Sequence, residues 1–79
     1  MNYPRKLTII FAKNLSQYQI SNCADLTNMV NKLKFQVENS YHTPIVKVIW
    51  CENWRDFNLK TDGDFISFEN FYKENLKLV

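Results

Sequence analysis

The chain has 79 residues, of which 46% are hydrophobic and 15% aromatic, and it contains one glycine and two prolines. This length predicts a single compact α/β domain over residues 1–79, whose small core must be densely filled. The scarcity of glycine and proline argues against disorder, and the sequence indicates no linker, internal repeat or domain boundary. The formal net charge of +2 is too small to indicate a nucleic-acid partner by itself.

The charges are divided unevenly along the chain. Residues 1–50 hold six Lys and Arg against two acids, whereas residues 51–79 hold four against six. Asn and Lys are plentiful while Ala, Gly and Arg are scarce, a bias that an AT-rich coding sequence produces. The bias points to a low-GC bacterium or one of its phages as the source, and it carries no information on the fold.

Two features bear on the compartment of the chain. Cys23 and Cys51 are widely separated, whereas a small secreted domain usually carries more disulfides, so we expect both to be buried small hydrophobic residues. The apolar run over residues 7–12 is too short for the core of a signal peptide or for a membrane span. The sequence therefore predicts a cytoplasmic protein without a membrane partner.

Two strands are predicted in the first quarter of the chain. Residues 6–13 are nearly continuous in apolar and β-favouring side chains. This continuity indicates a central strand that is covered on both faces, or on one face with the other partly covered. Asn14 and Ser16 suit a turn, and residues 18–20 alternate as the second strand of a hairpin would.

Residues 26–41 are predicted to form the long amphipathic helix of the domain. At about 100° per residue, five apolar residues fall in one stripe suited to packing on a sheet: Leu26, Met29, Val30, Leu33 and Val37. Asp25 is well placed as N-cap or as a first-turn anion. Pro44 ends the helical region because a proline disfavours the helical conformation at the preceding Thr43.

The second half of the chain contains two more strands and a shorter helix. Residues 45–51 are predicted to lie beside the first strand at the centre of the sheet, and residues 57–60 alternate like an edge strand. Residues 61–64 form the clearest turn, because Gly63 adopts a positive φ without penalty. Ser67 is a good N-cap for a helix over residues 68–78.

The element order ββαββα predicts an α+β fold. We expect a three- or four-stranded, mainly antiparallel sheet, with the long helix packed on one face and a short C-terminal helix nearby.

No residue pattern indicates catalysis, a metal or a cofactor. His42 is the one histidine, and it lacks a partner at a defined spacing. Cys23, His42 and Cys51 lack the paired short spacings of zinc sites, and residues 62–69 do not match the spacing of a calcium loop. One glycine cannot supply a phosphate-binding loop. The sequence thus predicts a non-enzymatic protein without a cofactor.

Phe35 does not fit the apolar stripe of the long helix. On a helical wheel it points away from that stripe, into a surface with Asn28, Asn31 and Lys32. A lone exposed apolar residue is normal, and Phe35 alternatively packs against a loop or a second helix. Because aromatic residues dominate interface hot spots, we expect Phe35, Asn28, Asn31 and Lys32 to bind a protein partner.

An acidic stretch provides a second candidate surface. Glu52, Asp56, Asp62 and Asp64 lie near Trp54 in the sequence, and a loop over residues 56–64 would present carboxylates to a basic groove of a partner protein. Ordinary solvated loops are the alternative interpretation.

A small nucleic-acid-binding module is the alternative function. Basic residues of the N-terminal part are interleaved with aromatic ones, so phosphate contacts would combine with base stacking. The basic residues are Arg5, Lys6, Lys13, Lys32, Lys34 and Lys47, and the aromatic ones are Tyr3, Tyr18 and Phe35. Neither the aromatic strand pattern of common RNA-binding domains nor a helix-turn-helix pair is present.

In its size, its coding bias and its lack of a catalytic motif, the chain is similar to accessory proteins of phages and mobile elements, among them anti-CRISPR proteins. The resemblance is one of size and style and involves no motif. It implies a small protein-binding inhibitor that antagonises host defence by occluding a surface of a host protein or complex. A homodimer formed through the long helix is a further possibility.

Overall fold

The computed structural model describes residues 5–78. Its elements are β1 (Arg5–Phe11), β2 (Asn14–Ile20), α1 (Cys23–Glu38), β3 (Ile45–Trp50), β4 (Asn53–Asn58) and α2 (Asp62–Asn75). The four strands form one sheet in the order β2-β1-β3-β4, and every neighbouring pair is antiparallel. The order ββαββα and this sheet confirm the predicted α+β fold.

Helix α1 begins three residues before its predicted start, because its N-cap lies before Asp25 in the sequence. Asn22 is the N-cap, and its side chain accepts a hydrogen bond from the backbone N–H of Asp25 at 2.9 Å. Asp25 is the first-turn anion, and its carboxylate accepts from the N–H of Ser21. The apolar stripe is buried as predicted, and the helix ends at Glu38.

Helix α2 begins at Asp62, six residues before its predicted start. Thr61 is the N-cap, and a capping box joins it to Asp64: the Thr61 hydroxyl accepts from Asp64 N–H, and the Asp64 carboxylate accepts from Thr61 N–H. The reciprocal cap satisfies two backbone donors that would otherwise lack partners. The prediction of a turn over residues 61–64, with a positive φ at Gly63 and an N-cap at Ser67, is therefore wrong.

Both hairpins close with a two-residue turn. Ala12 and Lys13 have φ values of 52° and 69°, and Cys51 and Glu52 have values of 51° and 66°. Two successive positive φ values define the type I′ turn, which usually contains Asn and Gly. These two turns lack Asn-Gly, so the sequence does not predict them. Strands β2 and β4 begin at Asn14 and Asn53, four residues before the predicted strands.

The core lies between one face of the sheet and the two helices. Alternate strand residues are buried there, including Leu7 and Ile9 of β1 and Val46 and Val48 of β3. The helices run side by side on this face and contribute the rest of the core, which includes Leu26, Met29, Leu33, Phe65, Phe68 and Tyr72. Over residues 5–78 no element covers the opposite face. Of the two alternatives for the first strand, cover on both faces is wrong: one face is buried, and Thr8 and Ile10 on the other are half-buried.

The chain consists of two ββα units of matching layout, β1-β2-α1 and β3-β4-α2. Strands β1 and β3 pair antiparallel with Ile9 opposite Val48, so an approximate twofold axis passes between these two residues. The N-caps Asn22 and Thr61 are 39 positions apart, as are Ile9 and Val48. The same offset relates the buried pairs Leu26 and Phe65, Met29 and Phe68, Leu33 and Tyr72, and Val37 and Leu76. The expectation of no internal repeat is therefore wrong.

The positive φ at Lys13 predicts that a glycine at this position stabilises the first turn. We expect Lys13→Gly to raise the free energy of unfolding by about 1 kcal/mol, because only glycine adopts this conformation without a steric penalty. Urea denaturation measures the change. Lys6→Gly is the matched control, since Lys6 is an exposed strand lysine and glycine there should destabilise the protein. A loss of stability in both variants would contradict the strained turn.

Candidate functional site

The uncovered face of the sheet carries an apolar stripe that crosses all four strands. Leu15 of β2 pairs with Ile10 of β1, and Ile49 of β3 pairs with Trp54 of β4. Ile10 and Ile49 are diagonal neighbours across the central pair. Leu15 is 61% exposed and Trp54 63% exposed, while the two isoleucines are half-buried. We call these four residues the open-face stripe.

Polar and charged residues border the open-face stripe on both sides. Thr8 and Gln17 form one border, and Lys47 and Asp56 form the other, each pair being opposite in register. The Lys47 ammonium lies 4.6 Å from the centroid of the Trp54 ring, a cation–π contact. The face thus has an apolar centre with a mixed polar rim, which is the composition of a protein interface.

The predicted Phe35 surface lies on the helical layer of the molecule, away from the stripe. Phe35 is 69% exposed, so its predicted outward direction is confirmed. Asn28, Asn31 and Lys32 are exposed beside it on α1. Phe35 stands among polar side chains, whereas the stripe has four contiguous apolar ones. Its role as a partner anchor stays a prediction.

The structure separates the three acids that were predicted to form one loop. Asp56 belongs to strand β4 and faces the open side of the sheet, opposite Lys47. The Asp62 carboxylate lies 2.9 Å from the ammonium of Lys34, and its hydrogen bond and charge raise the pKa of that lysine. Asp64 is engaged in the cap of α2. The acids lie apart because Asp62 and Asp64 begin a helix while Asp56 is in a strand.

The carboxylate of Asp64 has a structural role at the start of α2. Hydrogen bonds from the backbone N–H groups of Thr61 and Lys60, both 2.9 Å long, hold the pKa of Asp64 below its usual value of 3.8. Both bonds go to Oδ2 of Asp64, which gives the carboxylate a role in the cap, and its contact with a partner stays a prediction.

A groove lies between the edge strand β4 and helix α2. Arg55 projects into it from β4, with its guanidinium 4.5 Å from the ring centroid of Phe71 and 5.2 Å from that of Phe57. This stack divides the groove into two hollows of about 230 and 290 Å³. Trp50 and Tyr72 line the first hollow, and residues 57–59 with Ser67 and Phe68 line the second. We call the whole feature the β4–α2 groove.

Tyr72 places an unpaired hydroxyl at the first hollow. The residue is 3% exposed, and its hydroxyl makes no hydrogen bond to any of residues 5–78. Every fully buried side-chain nitrogen or oxygen of the described residues has a partner, so the Tyr72 hydroxyl keeps some contact with solvent, and the residue itself lines the first hollow. Burial raises the pKa of Tyr72 to about 12, because the phenolate loses its hydration, and the charge of Arg55 opposes this rise.

The remaining reactive side chains do not come together. Cys23 is half-buried at the start of α1 and Cys51 is exposed in the β3–β4 turn, so the expectation that both are buried is wrong. Neither forms a disulfide. His42 is exposed in the loop before β3, where its backbone N–H donates to the Ser40 hydroxyl. Across residues 5–78, no three His, Cys, Asp or Glu side chains are grouped to hold a metal ion.

The basic and aromatic residues considered for nucleic-acid binding are dispersed. Lys32 is on the outer side of α1, Lys34 is paired with Asp62, and Lys47 is on the opposite layer. Tyr18 packs against the core. Tyr3 lies outside the described residues.

Sequence reasoning missed the open-face stripe and the β4–α2 groove. The signal for the stripe is the apolar character of both faces of β1 and β3, which also fits strands that are covered on both faces. The groove depends on Arg55 and Phe71, which are 16 positions apart in the sequence and meet across two elements. No local sequence pattern predicts such a contact.

Comparisons with protein-family models, with curated proteins and with solved structures found no match to this chain. Among the described residues, neither helix has the length and apolar character that crossing a membrane requires.

The cap of α2 leads to an acid-stability prediction. Because the pKa of Asp64 is lowered in the folded state, its contribution to stability is present above pH 3.8 and is lost as the pH falls through the folded value. Asp64→Asn should lower the melting temperature at pH 7, and the difference from wild type should shrink in acid. Asp62→Asn is the control, because it breaks an exposed ion pair of little energetic value. Equal melting temperatures for the two variants at pH 7 would contradict this role of the cap.

Tyr72 gives a prediction at the alkaline end. Its pKa rises from 10.0 to about 12 on folding, so the protonated phenol stabilises the folded state below pH 10, and this contribution disappears as the pH rises toward 12. Tyr72→Phe should keep nearly wild-type stability at pH 7, because the hydroxyl has no protein partner. It should also lose less stability between pH 9 and about 11. Denaturant titrations at a series of pH values test both statements, and a large loss at pH 7 would show that the hydroxyl is paired.

Proposed function

We propose that the chain is a non-enzymatic protein-binding domain and that its contact surface is the open-face stripe. The observation that carries the proposal is the continuity of Leu15, Ile10, Ile49 and Trp54 across a sheet face that no described element covers. Contiguous exposed apolar side chains with a polar rim mark interaction sites, whereas single ones do not. The exposed Trp54 is the residue type most enriched at interface hot spots.

The local charges favour a protein partner over a nucleic acid. Lys47 covers one face of the Trp54 ring, so only the other face is left for a base to stack on. Asp56 is paired with Lys47 across the two strands, and its negative charge would repel a phosphate bound at this lysine. A protein surface with its own apolar centre and mixed charges fits this face better.

The partner in this proposal is a host protein or complex in the cytoplasm, which the chain inhibits by occluding its surface. The small size, the coding bias and the absence of a catalytic motif support this part. The Phe35 surface remains a second proposed contact. Because it is on the helical layer, a partner on the open-face stripe leaves it accessible.

Single substitutions on the two layers test which surface binds. We expect Trp54→Ala to weaken binding to a partner captured from host extract by about 30-fold or more, the effect of losing a hot-spot side chain worth about 2 kcal/mol. Phe35→Ala tests the helical surface, and Ile66→Ala is the control, since Ile66 is 61% exposed on α2. All three residues are exposed, so the melting temperatures should stay close to wild type. Affinities are measured by calorimetry with the purified partner.

Two results would change the proposal. Loss of binding in Phe35→Ala with full binding in Trp54→Ala would transfer the contact to the helical layer. Binding to single-stranded oligonucleotides that falls steeply between about 50 and 200 mM salt would favour the nucleic-acid alternative.

A further inference from the structure

We propose that the edge of β4 and the β4–α2 groove bind an extended acidic peptide segment of a partner protein, which adds to the sheet as a fifth strand. The site shares Trp54 with the open-face stripe, because that residue also lines the first hollow, but its other groups lie on the helical side of β4 and on α2. The expected peptide has an acidic residue with an apolar residue two positions before it and another two positions after it.

The outer edge of β4 provides the backbone groups that such a strand needs. Leu59 N–H donates to the Pro44 carbonyl at 2.8 Å, so Pro44 and Leu59 form a hydrogen-bonded pair. Such pairs alternate along an antiparallel hairpin, and the next pair, Ile45 and Asn58, is therefore not hydrogen-bonded. Trp54, Asp56 and Asn58 therefore direct their N–H and C=O groups away from β3. Within residues 5–78 no strand pairs with them. An unpaired edge of this kind is a template for strand addition.

The groove sets the side-chain pattern of the added strand. Side chains of Asn53, Arg55 and Phe57 are on the helical side of β4 at alternate positions. Every second residue of an added strand faces the same layer. One such residue therefore lies at Arg55, and its neighbours two positions away lie over the two hollows. Aromatic side chains line both hollows, which suits apolar residues at these two positions.

The central position of the peptide is acidic because of Arg55. No carboxylate among the described residues lies within 4 Å of its guanidinium. The Phe71 ring, whose centroid lies 4.5 Å from the guanidinium carbon, restrains the arginine, and a bidentate carboxylate is the ligand that the N–H donors of a guanidinium match. The Tyr72 hydroxyl adds an unpaired, nearly buried polar group at the first hollow, where a peptide carbonyl or side chain can satisfy it.

The first ββα unit serves as an internal comparison. At the 39-residue offset, Ser16 corresponds to Arg55, Lys32 to Phe71 and Leu33 to Tyr72. The first unit forms the same strands and helix without the arginine, the outer aromatic ring or the hydroxyl. These three residues are thus not requirements of the ββα layout, and together they distinguish the second groove from the first.

Peptide binding tests the proposal directly. The probe is a pool of fluorescein-labelled peptides of the pattern Thr-Φ-Thr-Glu-Thr-Φ-Thr, in which Φ is Val, Leu, Ile or Phe, and a matched pool has Lys in place of Glu. We expect the wild-type protein to bind the Glu pool at least tenfold more tightly by fluorescence anisotropy. Arg55→Glu should invert this preference. N-methylation of alternate backbone amides should abolish binding, which an ion pair alone would not predict.

Matched variants control for folding and for position. Ser16→Glu changes the corresponding residue of the first unit and should leave binding unchanged. Phe71→Lys introduces the residue type found at position 32 and should weaken binding at least tenfold. Both Arg55→Glu and Phe71→Lys should retain a cooperative thermal unfolding transition. Unchanged binding of the Glu pool to folded Arg55→Glu overturns the proposal, and so does the absence of binding to the wild type. Sedimentation that shows a wild-type dimer dissociated by Arg55→Glu also overturns it, because the edge would then belong to a second copy.

Discussion

The antiparallel pairing of β1 with β3 is the contact on which the rest of this structure depends. Ile9 and Val48 face each other at its centre, and each strand brings its own hairpin and helix. Because the two units are related by an approximate twofold axis perpendicular to the sheet, both helices cover the same face. The apolar side chains of that face then form one core, whose burial is the main favourable term in folding.

The same constraint produces the open face. Two helices on one side leave the other side of a four-stranded sheet without cover from the described elements. β1 and β3 nevertheless carry apolar residues on both sides, and the second set, Ile10 and Ile49, joins the exposed Leu15 and Trp54. The proposed contact surface is built from these four residues.

The two ββα units share their buried positions and differ at their outer edges. Leu33 and Tyr72 occupy matching core positions, whereas Ser16 and Arg55 occupy matching edge positions with different chemistry. Core positions are constrained by volume and apolarity, which both units must satisfy. Edge positions are free of that constraint. The difference concentrates charge and aromatic surface beside β4 and α2, where Arg55 stacks on Phe71.

Several features of the fold were predictable because their signals are local. The 3.6-residue period of α1 identified its buried stripe and the outward direction of Phe35. Thr61, Asp62 and Asp64 were mistaken for a turn because Thr and Asp favour both turns and helix N-termini. The hairpin turns escaped prediction since Ala, Lys, Cys and Glu are not the residues that usually adopt two successive positive φ values.

The sequence by itself determined the kinds of element, their order and the residues that can form a core. Tertiary structure decided which side of β1 and β3 the helices cover, that Trp54 and Ile49 meet Ile10 and Leu15 in one stripe, and that Asp56 lies apart from Asp62. The physical reason is that periodicity and capping act within a few residues. Strand register and layer assignment instead depend on contacts between residues about 40 positions apart, such as Ile9 and Val48.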